Sequence, residues 1–148
     1  MITIRTANRE DIDALTVLFD LYRIWYHQPS DIAAAKKFLV QRMEKHESVI
    51  LVADNDGKLV GFTQLYPIFS SVSLRNAWLL NDLYVHASAR NQGVAAQLLA
   101  AARGHGKETG AKWLMLQTGN DNYKAQSVYE KNGWLRISDY FYELPLEE

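Results

Sequence analysis

The segment that most narrows the folds open to this chain runs from Asp82-Leu-Tyr-Val85 through Arg90-Asn-Gln-Gly93 to Leu98-Leu-Ala-Ala-Ala102. It begins as a β-rich run, crosses a short polar stretch containing Gly93, and becomes an Ala/Leu helix pattern. A strand that feeds a helix through so tight a turn needs a sheet to sit in and a layer to receive the helix's apolar face. The rest of the chain supplies both.

Upstream, residues 2–6 alternate as a strand, and Asn8 caps a helix carrying Leu15, Leu18, Phe19, Tyr22 and Tyr26 at helical spacing. Pro29-Ser-Asp31 ends that helix and starts another through Ala35, Phe38, Leu39 and Met43. Strands are expected at 49–53 and 59–68 about an Asp54-Asn-Asp-Gly57 turn, and at 77–85 after a polar loop. Downstream come a helix at about 91–109, a strand at 113–117, and a helix at about 122–131 closed by Gly133. Short strands near 135–137 and 140–144 finish the pattern. The order β-αα-βββ-α-β-α-ββ predicts an α+β fold, a mixed sheet covered by helices, in a single domain over 1–148.

With 16 basic and 17 acidic side chains, the net charge of −1 gives no electrostatic case for nucleic acid or an anionic membrane as partner. The absence of cysteine excludes disulfides, thiolate catalysis and Cys-ligated metals. No His/carboxylate spacing suggests a metal site, and His27, His46 and His105 read as solvated. The N-terminal residues lack a signal peptide's apolar core, so a cytoplasmic location is expected.

Arg90-Asn-Gln-Gly-Val-Ala95 is placed to bind an anion. The first N–H groups of a helix lack internal partners and its dipole favours negative charge there. Gly93 lets a ligand approach the main chain, Ala95 obstructs little, and Arg90 adds positive charge. A diphosphate suits such a turn. The plain alternative is an ordinary helix start with a solvated arginine. On the later helix, Asn122, Ala125 and Tyr129 share one face: an amide, a small residue and a phenol. That stripe suits an elongated ligand, although Asn122 as a cap and Tyr129 as a core aromatic would also satisfy it.

Arg90-x-x-Gly93-x-Ala95 resembles the pyrophosphate motif of the GNAT superfamily of N-acetyltransferases, and Asn122-x-x-Ala125-x-x-x-Tyr129-x-x-x-Gly133-Trp134 resembles that family's later motif. Trp134 stands where the family usually has Phe. Within the superfamily, 66–71 and 78–85 are similar to the histone/polyamine acetyltransferase-like branch. The resemblance implies a mostly antiparallel sheet of about seven strands with about four helices, and a bulged central strand that splays from its neighbour. It implies acetyl-coenzyme A as cosubstrate, with no metal. The pyrophosphate would rest on the turn formed by Arg90, Asn91, Gln92, Gly93, Val94, Ala95 and Ala96. The pantetheine arm would pair with Leu83, Tyr84 and Val85, the Val85 N–H steadying the thioester carbonyl. Asn122, Ala125 and Tyr129 would line the same ligand.

In this resemblance Tyr129 is the general acid, since a phenol of pKa about 10 can protonate a departing thiolate. Asp82, on the central strand, is base, anchor for a cationic substrate, or a structural carboxylate. The acceptor would be a small amine, a polyamine or a lysine side chain, met by Trp25, Tyr26, Tyr66, Phe69 and Asp82, since aromatic faces attract cations. The rival from another class is a non-catalytic acyl-coenzyme A-binding module, against which Asp82, Asn122 and Tyr129 together argue. Many relatives are dimers, and the apolar-rich tail at 140–146 is compatible with a homodimer.

Overall fold

In a computed structural model that describes residues 1–147, one sheet holds five strands in the order β1-β2-β3-β4-β5. These are β1 (Ile2–Thr6), β2 (Val49–Asn55), β3 (Lys58–Ser70), β4 (Arg75–Val85) and β5 (Leu114–Met115). The first three pairings are antiparallel and the β4–β5 pairing is parallel. Four helices accompany them: α1 (Ile12–Trp25), α2 (Ile32–Glu44), α3 (Val94–Glu108) and α4 (Tyr123–Lys131). The chain divides into two units, Met1–Gln117 with the sheet and α1 to α3, and Thr118–Glu148 with α4. No described helix is long and apolar enough to cross a membrane.

Local chemistry sets the boundaries. Asn8 accepts from the Glu10 N–H and Asp11 returns a bond to the Asn8 N–H, closing a capping box ahead of α1. Asp31 caps α2 by accepting from the Ala34 N–H at 3.0 Å. Buried Asp20 on α1 accepts from the Ser30 hydroxyl at 2.6 Å and the Asp31 N–H at 2.8 Å, which ties the two helices together. Asp56 and Gly57 both take positive φ, 51° and 94°, so the β2–β3 hairpin turns through the two-residue loop that Asp-Gly favours.

Side-chain alternation along β3 divides the core into two layers. Phe62 joins Leu15, Leu18, Phe19, Ala35, Leu39, Ile50, Val52 and Leu59 in the layer under α1 and α2. Gly61 faces the other way, against α3. A Cβ there would lie 2.9 Å from the Tyr84 carbonyl oxygen, so glycine permits the close approach of the β4 backbone, with Leu98 Cδ1 of α3 at an ordinary contact distance of 3.4 Å. Each fully buried Leu or Phe contributes about 1.5–3 kcal/mol relative to exposure.

The sheet has five strands where about seven were expected. Residues 135–137 and 140–144 keep an apolar-rich pattern, but among the described residues they pair with no strand, and Leu135, Tyr140, Tyr142 and Leu144 are exposed. Such a pattern records a preference for a pleated surface, and only a partner's ladder makes a strand of it. His105 is also corrected: its ring lies 4.8 Å from that of Trp78, its Nε2 is buried, and burial pushes its pKa down.

Candidate active site

The site in the first unit is organised by a β-bulge. The β3–β4 register pairs Gln64 with Asp82 and Leu65 with Leu80, which leaves Asn81 as an extra residue on β4. The bulge resets the alternation. Asp82 and Tyr84 lie opposite Gln64 and Phe62 on the α1 side, whereas Leu80 lies opposite Leu65 on the α3 side. Beyond the bulge β4 also parts from its other neighbour. β5 pairs with it only at Trp78 and Leu79, so among the described residues the stretch from Leu80 to Val85 has no β5 partner.

The free edge of β4 follows from the ladder. The His86 N–H donates to the Val60 carbonyl at 2.8 Å, so in the alternating antiparallel pattern residues 84 and 82 also bond to β3 while 85 and 83 turn outward. The amides of Leu83 and Val85 therefore point away from β3 into the splay. The outward Val85 carbonyl is taken by Arg90 Nε at 3.0 Å. The same guanidinium lies over the rings of Trp25, at 5.6 Å, and Tyr84, at 5.7 Å. Arg90 thus fastens the end of α1 to the end of β4 as well as placing charge beside the turn.

The turn itself is exposed at Asn91, Gln92 and Gly93, and Asn91 and Gly93 both have positive φ, 60° and 77°. Gly93 is the N-cap of α3 and supplies no side-chain cap; the first bond of the helix runs from the Gln97 N–H to the Gly93 carbonyl. The N–H groups of Val94, Ala95 and Ala96 therefore precede the internal ladder and aim at whatever occupies the turn. Buried Val94 anchors this end in the core, and Ala95 and Ala96 keep the approach short.

Asp82 is 3 % exposed. One of its oxygens accepts from Gln64 Nε2 at 2.5 Å and the other from Asn81 Nδ2 at 2.8 Å. Tyr22 donates to the Asn81 carbonyl at 3.2 Å. Burial holds the Asp82 carboxyl above the usual carboxylate range, against the pull of Gln64, Asn81 and Tyr22. The Tyr22 phenol is pushed well above its ordinary value by burial and by the Asp82 charge. Tyr66 is pushed up to about 12 by burial and Asp82, with Arg42 acting the other way.

Of the aromatic residues proposed for the acceptor, Trp25 stands with Arg90, Tyr26 packs edge-on to Tyr22 at 5.1 Å, and Tyr66 senses Asp82. Phe69 stands apart, 82 % exposed near the end of β3. Tyr66 also lines a cleft of about 500 Å³ with Phe38, Arg42, His46, Glu47 and Pro67. Sequence reasoning missed that cleft and missed Gln64. The signal for the latter was present: a glutamine inside the apolar run Leu59-Val-Gly-Phe-Thr-Gln-Leu65 is a buried polar group in need of a partner.

The second unit carries the other proposed residues on or beside α4. Asn122 is the N-cap, its Oδ1 accepting from the Ala125 N–H at 3.3 Å. At the far end the Trp134 N–H donates to the Tyr129 carbonyl at 3.1 Å and the Gly133 N–H to that of Glu130 at 3.2 Å, with Gly133 at φ 88°. This is a Schellman motif, and the Tyr129 and Trp134 rings, 6.3 Å apart, form its accompanying apolar contact. The motif fixes where the Tyr129 side chain leaves the helix. Among the described residues, no group of three or more His, Asp or Glu could hold a metal ion.

Residues 14–134 match the model of the Acetyltransferase (GNAT) family. The chain belongs to the GNAT acetyltransferase family. It is 50 % identical over 131 residues, 88 % of each chain, to an uncharacterized N-acetyltransferase, YhfO, of Bacillus subtilis. A crystal structure of a probable acetyltransferase is 42 % identical, with a TM-score of 0.94 over 99 % of each chain. The fold is also that of an aminoglycoside N-acetyltransferase, AAC(6')-Iy, solved with CoA: TM-score 0.81 and 21 % identity, over 99 % of this chain and 95 % of that one.

GNAT enzymes use acetyl-coenzyme A, and the outward β4 amides and uncapped α3 start fit its pantetheine and pyrophosphate. Gly93 offers a direct check. No protein atom lies near a Cβ at this position, so within the fold the cost of a side chain is that of the positive φ, and a bound ligand would meet the side chain in addition. Gly93→Val is expected to raise the Kd for acetyl-coenzyme A about tenfold, because a β-branched residue strains that backbone. Gly93→Asn, which tolerates the left-handed region, is expected to raise it far less. Equal Kd values for both variants and the wild type by calorimetry would detach the turn from cosubstrate binding.

Proposed function

We propose that this GNAT acetyltransferase moves an acetyl group from acetyl-coenzyme A to a primary amine by direct attack in a ternary complex. The observation that supports it best is the free edge of β4 running into the uncapped start of α3, two donor sets in series for an elongated diphosphate ligand. Bound there, acetyl-coenzyme A supplies an acetyl group already activated as a thioester. The Leu83 and Val85 amides hold the arm, and the Val85 N–H donates to the thioester oxygen as its negative charge grows. The amides of Val94, Ala95 and Ala96 hold the pyrophosphate, with Asn91, Gln92 and Gly93 shaping the turn. Asn122 and Ala125 are the family motif's contribution to the same ligand.

The amine nitrogen forms the new bond to the acetyl carbon as the carbon–sulfur bond breaks. Its surplus proton passes through a water to Asp82, which is too buried to meet the amine directly. The bulge provides the route, since exposed Asn81 sits against the carboxylate. By the family motif, Tyr129 gives the proton that the departing sulfur takes. Solvent restores both groups. The acceptor is a small amine, a polyamine or a lysine side chain, and the cleft at Tyr66 gives it room. Trp25 and Tyr26 at the end of α1, and exposed Phe69 on β3, are the further aromatic residues proposed to meet it.

The test is release of free thiol from acetyl-coenzyme A across polyamines, amino acids, aminoglycosides and a lysine-rich peptide. The chain has no cysteine, so every new thiol comes from the coenzyme. Rapid release with one class is the expected outcome and identifies the acceptor. Silence across all four, with acetyl-coenzyme A bound, would overturn the amine-acceptor reading.

A further inference from the structure

We propose that Gln64 is a positioning residue for Asp82, and that with Ser48 it forms a hydrogen-bond chain that reverses direction to suit either charge state of that carboxylate. The proposal rests on Asp82 being the group that receives the acceptor's proton. Gln64 is fully buried on the face of β3 that also carries Phe62. An apolar side chain would fit such surroundings, and an amide is tolerated there only when its polar atoms are matched. They are: the Ser48 hydroxyl donates to Gln64 Oε1 at 2.8 Å, and Gln64 Nε2 donates to Asp82. Half-exposed Ser48 is thereby linked to a carboxylate buried behind two strands.

An ionised carboxylate only accepts hydrogen bonds, whereas a protonated one has an O–H to donate. A fixed donor beside Asp82 would serve the first state and oppose the second. Glutamine serves both, because its amide can turn over. After Asp82 takes a proton, its O–H donates to Gln64 Oε1, and Gln64 Nε2 donates to the Ser48 oxygen, which accepts as readily as it donates. Asn81 Nδ2 keeps its bond to the other carboxylate oxygen throughout. No covalent bond forms or breaks in the chain; the received proton stays on Asp82 until solvent removes it. The titratable groups facing Asp82 are the phenols of Tyr22 on α1 and Tyr66 on β3, with Tyr26 beyond the first and Arg42 of α2 beyond the second. The phenols of Tyr22 and Tyr66, both held above their ordinary value, stay neutral through the range in which a carboxylate titrates.

The test follows the Asp82 carboxyl by carbon NMR in protein labelled at aspartate, the resonance assigned by its loss in Asp82→Asn. The kcat/KM profile against pH is recorded alongside, with the amine that releases thiol fastest. Gln64→Met keeps the volume and removes both polar ends. It is expected to raise the proton affinity of Asp82 about tenfold, the amount by which a hydrogen bond to the ionised carboxylate exceeds the one the turned-over amide makes to the protonated form, and to move the acid limb of the rate profile upward with it. Ser48→Ala, half-exposed and tolerant, should move both in the same direction by less, and it carries the test if Gln64→Met does not fold. A structural role for Gln64 would lower activity at every pH without moving the limb. An Asp82 titration at the wild-type midpoint in Gln64→Met, or in Ser48→Ala where only that variant folds, overturns the proposal and leaves the role of Asp82 standing. An Asp82→Asn enzyme with wild-type activity and an unchanged acid limb overturns that role instead, and assigns the limb to the amine.

Discussion

Tyr129→Phe is expected to lower kcat about 100-fold, the usual worth of a positioned proton donor, with the Kd for acetyl-coenzyme A nearly unchanged. The substitution removes one hydroxyl and retains the ring. What holds the ring is the Schellman motif at the end of α4, where Gly133 takes the left-handed conformation and the Trp134 ring lies against that of Tyr129. Phenylalanine preserves both, so the placement of the ring is common to the two proteins. Single-turnover kinetics supplies the sharper readout: with an acceptor whose conjugate acid is weak, the defect should fall on thiol departure and should shrink when the leaving thiol is itself made more acidic. An unchanged kcat would take Tyr129 out of the mechanism. The aromatic after Gly133 is a positioning group in the same account, and tryptophan in place of the family's usual phenylalanine keeps an aromatic ring against Tyr129.

The elements that local chemistry dictates were legible in the sequence. Asn8 and Asp31 cap where short polar side chains precede apolar periodicity, Asp56-Gly57 turns a hairpin, and Gly133 stops α4, because each choice is made within a few residues. The α3 start was legible for the same reason. The centre of the site was not. Read as an unbroken alternation, Trp78, Leu80, Asp82 and Tyr84 share one face, and nothing local marks Asn81 as the extra residue. Only the register against β3 splits the set, sending Asp82 and Tyr84 toward α1 and Leu80 toward α3. The partnership of Gln64 with Asp82 depends on that register, across 18 positions of chain. Arg90 was legible as a charge and not as a clamp, since the rings it meets lie on α1 and β4. The tail failed as strand for the opposite reason: its pattern is local, and ladders are not.

Asp82→Asn is expected to cost about 100-fold in kcat at the optimum, as for loss of a general base, and to abolish the acid limb of the rate profile. It should also alter stability in a direction opposite to that of most buried substitutions. Burial raises the folded-state pKa of Asp82 above its unfolded value of about 3.9, so the native state binds the proton more tightly. The contribution of this group to stability is then fully present below the unfolded value, declines as pH rises through the folded one, and is a constant penalty above it. Asparagine carries no charge and escapes the penalty. Its Nδ2 can donate to a turned-over Gln64, whose own Nε2 then meets Ser48, so no buried polar atom is stranded by the exchange. The variant should therefore melt higher than the wild type at neutral pH, with the gap closing as pH falls toward 4. Asp11 and Asp20, held low by Arg5 and by Ser30 respectively, lose stabilisation over the same acid range in both proteins and cancel in the difference. Lost activity with gained stability would mark Asp82 as a charge held in the core for the reaction. Lost activity with lost stability at every pH would make it a structural carboxylate, and would return the base to bulk water.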